Sequence, residues 1–227
     1  MESQFNLGEK VIAIIGGTGK EGSGLAFRWT RAGLKVIIGS RKLEKAQKAV
    51  EELLKLTGED VDLTGMENID AARKADIVVL TVPYEFHRST LESIKPVMSG
   101  KIFIDVSVPI IPPQVTKVQM PPAGSALQEA KEILGDQVKV ASAFQNVSYT
   151  RLLKDEDVGC DILVCGEGRE TREIVLELVA KAGLVGWDAG PINNSMVVEG
   201  LTSILIGINK RFKVQGSGIR ITNVDRE

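Results

Sequence analysis

Short, uninterrupted apolar runs alternate with amphipathic stretches through the first half of the chain. Residues 11–16 (VIAIIG) form one such run, as a strand buried on both faces should. A glycine cluster follows, then a helical pattern over 22–32 closed by Gly33. The same alternation predicts a strand at 35–39, a helix at 43–56, a short strand at 63–65 and a short helix around Ala71 and Ala72. A fourth strand is expected at 76–83, a helix at 85–94 and a fifth strand at 101–106. The short strand-to-helix steps mark successive βαβ units, whose crossovers are right-handed. They predict a Rossmann-type, doubly wound α/β fold with a mainly parallel sheet.

Prolines break this rhythm between 109 and 122, where Pro109, Pro112, Pro113, Pro121 and Pro122 rule out a central strand or a helix interior. That segment is expected to cross the carboxyl edge of the sheet as a loop. A helix at 125–134 and a strand at 138–143 complete a dinucleotide-binding domain assigned to 1–154. The remainder, 155–227, reads as a smaller α/β unit with a strand at 162–165, a helix at 169–182 and a strand at 184–187. Its longest helix, 194–212, carries Val197, Leu201, Ile204, Leu205, Ile208 and Phe212 at helical spacing. That stripe is expected to be buried, against the first domain or against a second copy of the chain.

The glycine cluster gives the chain its first chemistry. Gly17, Gly19 and Gly22 satisfy G-x-G-x-x-G directly after an apolar strand and at the opening of a helix, the context in which the pattern has meaning. Gly17 permits the tight turn, Gly19 lets backbone approach a pyrophosphate, and Gly22 allows close helix–strand packing, while the helix start offers N–H donors. An NAD-binding chain has Asp or Glu at the end of the second strand. Here the sequence reads Gly39-Ser40-Arg41-Lys42, with Lys45 close behind. A hydroxyl, a forked guanidinium and ammonium groups suit the 2′-phosphate of NADP, which a carboxylate would repel.

Charge and composition narrow the partners. A net charge of −2 and 4% aromatic residues give no footing for nucleic acid or an anionic membrane. No apolar run reaches the roughly 20 residues that span a bilayer, and the first five residues lack the pattern of a secretory leader. Cys160 and Cys165, the only cysteines, read as buried free thiols in a reducing cytoplasm. No metal cluster is expected. The only histidine, His87, beside Arg88 on a predicted surface helix, reads as a solvated residue. After Tyr149 the Y-x-x-x-K pair of short-chain dehydrogenases fails, because Leu153 occupies the lysine position. With no acid–base pair and no catalytic residue assigned, the sequence favours hydride passing between two carriers aligned by the protein. Reduction of a flavin or a small imine or ketone, and non-catalytic NADP(H) sensing, stay open as alternatives.

Several stretches together resemble the NADPH-dependent reductases of coenzyme F420, a deazaflavin hydride carrier. They are GGTGKEGSGLA at 16–26, GSRKLEKA at 39–46, LTGMEN at 63–68, ADIVVLTVPYE at 75–85, VASAFQNVS at 140–148, ILVCG at 162–166 and DAGPINNSMVVEGLT at 188–202. The resemblance implies that Thr18, Gly19, Lys20 and Glu21 hold the pyrophosphate and ribose, and that Ser40, Arg41 and Lys45 hold the 2′-phosphate. It implies that Val82, Pro83 and Val108 line the nicotinamide. The deazaflavin would stack there in a cleft between the two units, near Gln145, Asn146, Val147, Ser217 and Gly218. Some members carry His where this chain has Gln145, and a larger ring where it has Tyr84.

Overall fold

Alternate residues of β1 (Val11–Ile15) enter different apolar layers, Ile12 and Ile14 one and Ala13 and Ile15 the other. Period-two alternation with both faces apolar is what places β1 at the centre of a sheet covered on both sides. The structure is a computed structural model, and it describes residues 6–58, 60–154 and 157–224. In chain order β1 is followed by α1 (Lys20–Arg31), β2 (Lys35–Ser40), α2 (Leu43–Thr57), β3 (Leu63–Glu67), α3 (Asn68–Lys74) and β4 (Ile77–Leu80). Next come α4 (His87–Ile94), β5 (Ile102–Asp105), α5 (Ala126–Leu134), β6 (Lys139–Ser142) and the single turn α6 (Tyr149–Leu152). The chain continues through β7 (Asp161–Gly166), α7 (Arg169–Lys181), β8 (Val185–Gly190) and α8 (Ser195–Phe212).

The eight strands form one sheet in the order β3-β2-β1-β4-β5-β6-β7-β8. Pairing is parallel from β3 through β6, and only β6 with β7 runs antiparallel. The strand order reverses between β1 and β4, so the crevice at their carboxyl ends is the fold's natural ligand position. The expected doubly wound, mainly parallel fold is therefore present. Among the described residues no helix is long and apolar enough to cross a membrane.

Among the described residues, 157–224 do not build a core of their own. β7 and β8 extend the common sheet, and Ile174, Val175 and Leu178 of α7 share an apolar layer with Leu25 and Trp29 of α1. Trp29 Nε1 donates to the Leu178 carbonyl at 2.9 Å, and Arg28 donates to the carbonyls of Leu152 and Ala182 at 2.9 and 2.7 Å. Residues 1–5, on which the expectation of no leader rests, and Asp155, where the second unit was expected to begin, lie outside the described residues.

Two expectations need correction. The α8 stripe is not buried within the chain: Val197, Ile204 and Phe212 are 66%, 50% and 65% exposed, and of the six only Leu205 is buried. The buried ridge is Ser195, Val198, Glu199, Gly200, Ser203 and Leu205, with Ser195, Gly200 and Ser203 the small residues that let the helix approach closely. Val118 and Met120 of the proline-rich loop pack where a side chain at Gly200 would stand. His87 is also misjudged. It is 0% exposed, because α4 begins beneath the loop following β4 and turns its first residue inward.

Candidate active site at the sheet carboxyl edge

The turn after β1 separates glycines required by the protein from one that is not. Gly16 has φ +75°, and a Cβ there would stand 2.5 Å from Val82 Cγ1. A Cβ at Gly17 would meet the Ile14 carbonyl oxygen at 2.7 Å, and one at Gly22 would meet Gly17 Cα and Thr81 Oγ1, both at 2.7 Å. At Gly19 the nearest atom would be the Gly16 oxygen at 3.5 Å, an ordinary contact, and the residue is exposed with an extended backbone. The fold tolerates a side chain at Gly19, so its absence serves whatever approaches from outside. Gly19 is the N-cap of α1 and supplies no side-chain hydrogen bond, so the first-turn N–H groups and the positive end of the helix dipole face outward. A pyrophosphate fits this cradle.

Beside the turn opens a cleft of about 1190 Å³ whose wall runs from Gly19, Lys20 and Glu21 across Val82, Pro83 and Val108 to Gln145, Asn146 and Val147. Ser217 reaches it from the tail, where its N–H donates to Asn209 Oδ1 at 3.1 Å. Thr202, Leu205, Ile206 and Asn209 of α8 close the opposite side, and Ile110, Ile111 and Pro112 of the proline-rich loop complete the rim. The structure thus brings most of the predicted residues to one cavity. Gly218 is not on its wall; it packs against Cys160, whose Cβ would stand 2.4 Å from a side chain there. Gly17, Thr18 and Gly22 shape the turn itself rather than the wall.

Ser40, Arg41 and Lys45 lie apart from this cleft, at the carboxyl end of β2 and the first turn of α2. Ser40 Oγ accepts from the Lys42 N–H at 3.4 Å, and the Arg41 guanidinium stands 5.1 Å over the Phe86 ring. Lys42 is the N-cap of α2 and gives no side-chain cap, so cations crowd the positive end of a helix. That arrangement is unfavourable without an anion and favourable with one.

The floor of the cleft holds polar groups without partners. Gln145 Nε2 donates to the Asp105 carbonyl at 2.8 Å and Asn146 Nδ2 to the Asp161 carbonyl at 2.6 Å, which fixes both amide orientations. Their oxygens, Gln145 Oε1 and Asn146 Oδ1, are buried and accept nothing. Phe144 directs them from a left-handed backbone, φ 72°, a conformation costing about 1–3 kcal/mol for a bulky residue. Its ring is held edge-on against Trp29 at 5.8 Å. Glu21 Oε1 is likewise buried without a partner, and desolvation pushes its carboxyl up to about 8.

Sequence reasoning missed the layer behind the cleft. His87 Nε2 lies 2.7 Å from Asp105 Oδ2 and Nδ1 lies 3.0 Å from Glu129 Oε1. Tyr84 stacks on the imidazole and donates its hydroxyl to Glu129 Oε2 at 3.2 Å. Glu199 of α8 caps α5, accepting from the Ala126 and Leu127 N–H groups at 2.7 and 3.2 Å. Its carboxyl is pushed up to about 8 by burial first and by the Asp105 charge second. These partners are 18 to 73 residues apart in sequence, so no local pattern announces them.

Residues 11–109 match the family described as "NADP oxidoreductase coenzyme F420-dependent". Over 223 residues the chain is 43% identical to the F420-dependent NADP reductase of Methanocaldococcus jannaschii, covering 94% of this chain and 99% of that one. It is 42% identical to the F420-dependent NADP reductase of Methanothermobacter thermautotrophicus, covering 95% and 96%. Among solved structures, a putative F420-dependent NADP reductase from an Arthrobacter species has a TM-score of 0.75 at 20% identity, over 94% of this chain and 99% of that one, a likeness of fold. With relatives of such identity spanning almost its whole length, the chain belongs to the F420-dependent NADP reductase family.

Proposed function

We infer that this protein moves a hydride between NADP(H) and the deazaflavin F420. The observation that carries this reading is the single cleft in which an uncapped, sterically open glycine turn meets the carboxyl ends of β4 and β5. The names of the relatives supply the two carriers. When bound, the carriers provide the two reactive carbons between which the hydride passes. The chain's part is to hold and align them. Gly19 and the first-turn N–H groups of α1 receive the pyrophosphate, with Thr18, Lys20 and Glu21 beside the ribose. Ser40, Arg41 and Lys45 grip the 2′-phosphate. Val82, Pro83 and Val108 form an apolar wall for the nicotinamide, which keeps water from the transfer. Gln145 and Asn146 offer acceptor oxygens to the N–H groups of the second ring system, with Val147 and Ser217 bounding it. Tyr84, pushed up to about 12 by burial and by Glu129, keeps its proton and serves as a fixed donor rather than an acid. No proton-transfer step through a side chain is needed.

Purified protein given NADPH and either a deazaflavin or FMN tests the reading. Rapid bleaching of the deazaflavin with little turnover of FMN is expected. Faster FMN turnover, or tight NADPH binding with no turnover of either, overturns it. Arg41→Ala is expected to weaken NADPH binding by about 1.5–3 kcal/mol, the scale of hydrogen bonds to charged groups, and to leave NADH unchanged. Equal losses for both nucleotides in calorimetry would make Arg41 a structural residue.

The chain works as a homodimer along the outer face of α8. Val197, Ile204, Ile208 and Phe212 form a continuous exposed apolar strip there, a feature that marks protein contact surfaces. Ile204→Asp is expected to convert a dimer into a monomer in sedimentation, and a monomeric parent protein refutes the pairing. A reducing cytoplasm is the compartment that suits Cys160 and Cys165, both buried and not joined in a disulfide.

A further inference from the structure

The one histidine of the chain sits behind the cleft with both ring nitrogens facing carboxylate oxygens. A neutral imidazole has one N–H and one lone pair, so it would turn that lone pair toward a carboxylate at hydrogen-bond distance. With both carboxyls ionised, the doubly protonated ring is the form that satisfies Asp105 and Glu129 together. Each of these carboxylates reaches a wall of the cleft. Asp105 Oδ1 accepts from the Ser107 N–H at 2.9 Å, and Ser107 Oγ donates to the Val82 carbonyl at 3.2 Å. The Asp105 carbonyl accepts from Gln145. Glu129 holds the Tyr84 hydroxyl, immediately after Pro83. The ring therefore clamps the loop after β4 to the end of β5.

We propose that His87, carrying both ring protons, is a positioning residue for hydride transfer that fixes the nicotinamide wall at Val82, Pro83 and Val108, and that this wall loosens when one of those protons leaves. The proposal rests on the reading that this cleft takes NADP(H). Burial alone would lower the imidazole's affinity for its proton. The Asp105 charge, followed by the hydrogen bonds to Asp105 and Glu129, outweighs it and pushes His87 up to about 9. The charged and titratable groups around the ring are Asp105 from β5, Glu129 from α5, Glu199 from α8, and Tyr84 and Arg88 from its own segment. Arg88 touches Glu129 from the exposed side, 3.5 Å away, and cannot replace the buried cation.

Because the chain has one histidine, its imidazole C–H resonances report the titration in the unmodified protein without assignment. The expected midpoint is near 9, and Asp105→Asn moves it down. A midpoint at or below the ordinary value of 6.5 overturns the proposal. NADP⁺ affinity measured by calorimetry is expected to fall through that same midpoint, by at most about tenfold per pH unit for one linked proton. In His87→Gln the component near 9 disappears and affinity is low throughout, while any step near 8 from Glu21 or Glu199 stays. Adding Glu129→Gln to His87→Gln removes one of the two carboxylate charges that lose the imidazolium and restores part of the affinity. Affinity that stays flat across the histidine's own titration makes His87 merely structural and refutes the clamp. Should His87→Gln not fold, the parent and Asp105→Asn titrations still decide. Absence of NADP⁺ binding at every pH sinks the functional reading instead, and the resonance midpoint then judges the proton count alone.

Discussion

Gly19→Val is expected to leave the fold intact and to abolish NADP(H) binding, whereas Gly22→Val damages the fold itself. Both residues belong to the same short motif, but they answer to different neighbours. A Cβ at Gly19 makes one ordinary contact, at 3.5 Å, and faces solvent on an extended backbone. Valine there fits the protein and fills the space where a pyrophosphate must touch main-chain N–H groups. Displacing it by even one methyl group sacrifices several charge-assisted hydrogen bonds, each about 1.5–3 kcal/mol. A Cβ at Gly22 lies 2.7 Å from both Gly17 Cα and Thr81 Oγ1, and the former is backbone that cannot swing aside. Overpacking of this kind costs about 1–3 kcal/mol, or roughly 2–10 °C of Tm for a chain this size. Thermal melts and NADPH titrations of the two variants separate the cases. Equal destabilisation by both would mean the glycine turn is shaped by packing alone.

Stability is expected to fall as pH rises from 4.5 toward about 8, opposite to the usual behaviour of buried, paired carboxylates. Burial holds Glu21 and Glu199 protonated in the folded chain up to about 8, while in the unfolded chain both ionise near 4.5. Through that interval the folded state binds more protons than the unfolded one. Each group then removes up to about 1.4 kcal/mol per pH unit, less for the partly exposed Glu21. The loss levels off above about 8, and His87 adds a decline of the same sign between 6.5 and about 9. Melting the protein at mildly acidic and mildly alkaline pH tests this. Glu199→Gln keeps a carbonyl to accept from the start of α5 and has no proton to lose, so its slope is expected to be shallower. A Tm that climbs over the same range, or an unchanged slope in Glu199→Gln, refutes the assignment.

The parallel sheet was readable because its strands are buried on both faces, leaving runs such as VIAIIG and IVVL with nothing polar inside them. The glycine turn was readable because steric demand is local, between residues a few positions apart. The cation cluster after β2 was readable because a missing carboxylate at a strand end is itself a signal. Helical periodicity misled at α8. It identifies which residues share a face but not what that face meets, and the face that packs inward combines Ser195, Val198, Glu199, Gly200 and Ser203 with only Leu205 of the apolar stripe.

Sequence alone determined the strand–helix alternation, the glycine turn after β1 and the cation cluster after β2, because each depends on neighbours close along the chain. Tertiary structure alone decided that β7 and β8 continue the first sheet, that Trp29 joins α1 to α7, and that His87 is buried between Asp105 and Glu129. Burial and charge pairing are properties of distant segments brought together, and a histidine next to an arginine looks the same in sequence whether its ring faces water or two carboxylates.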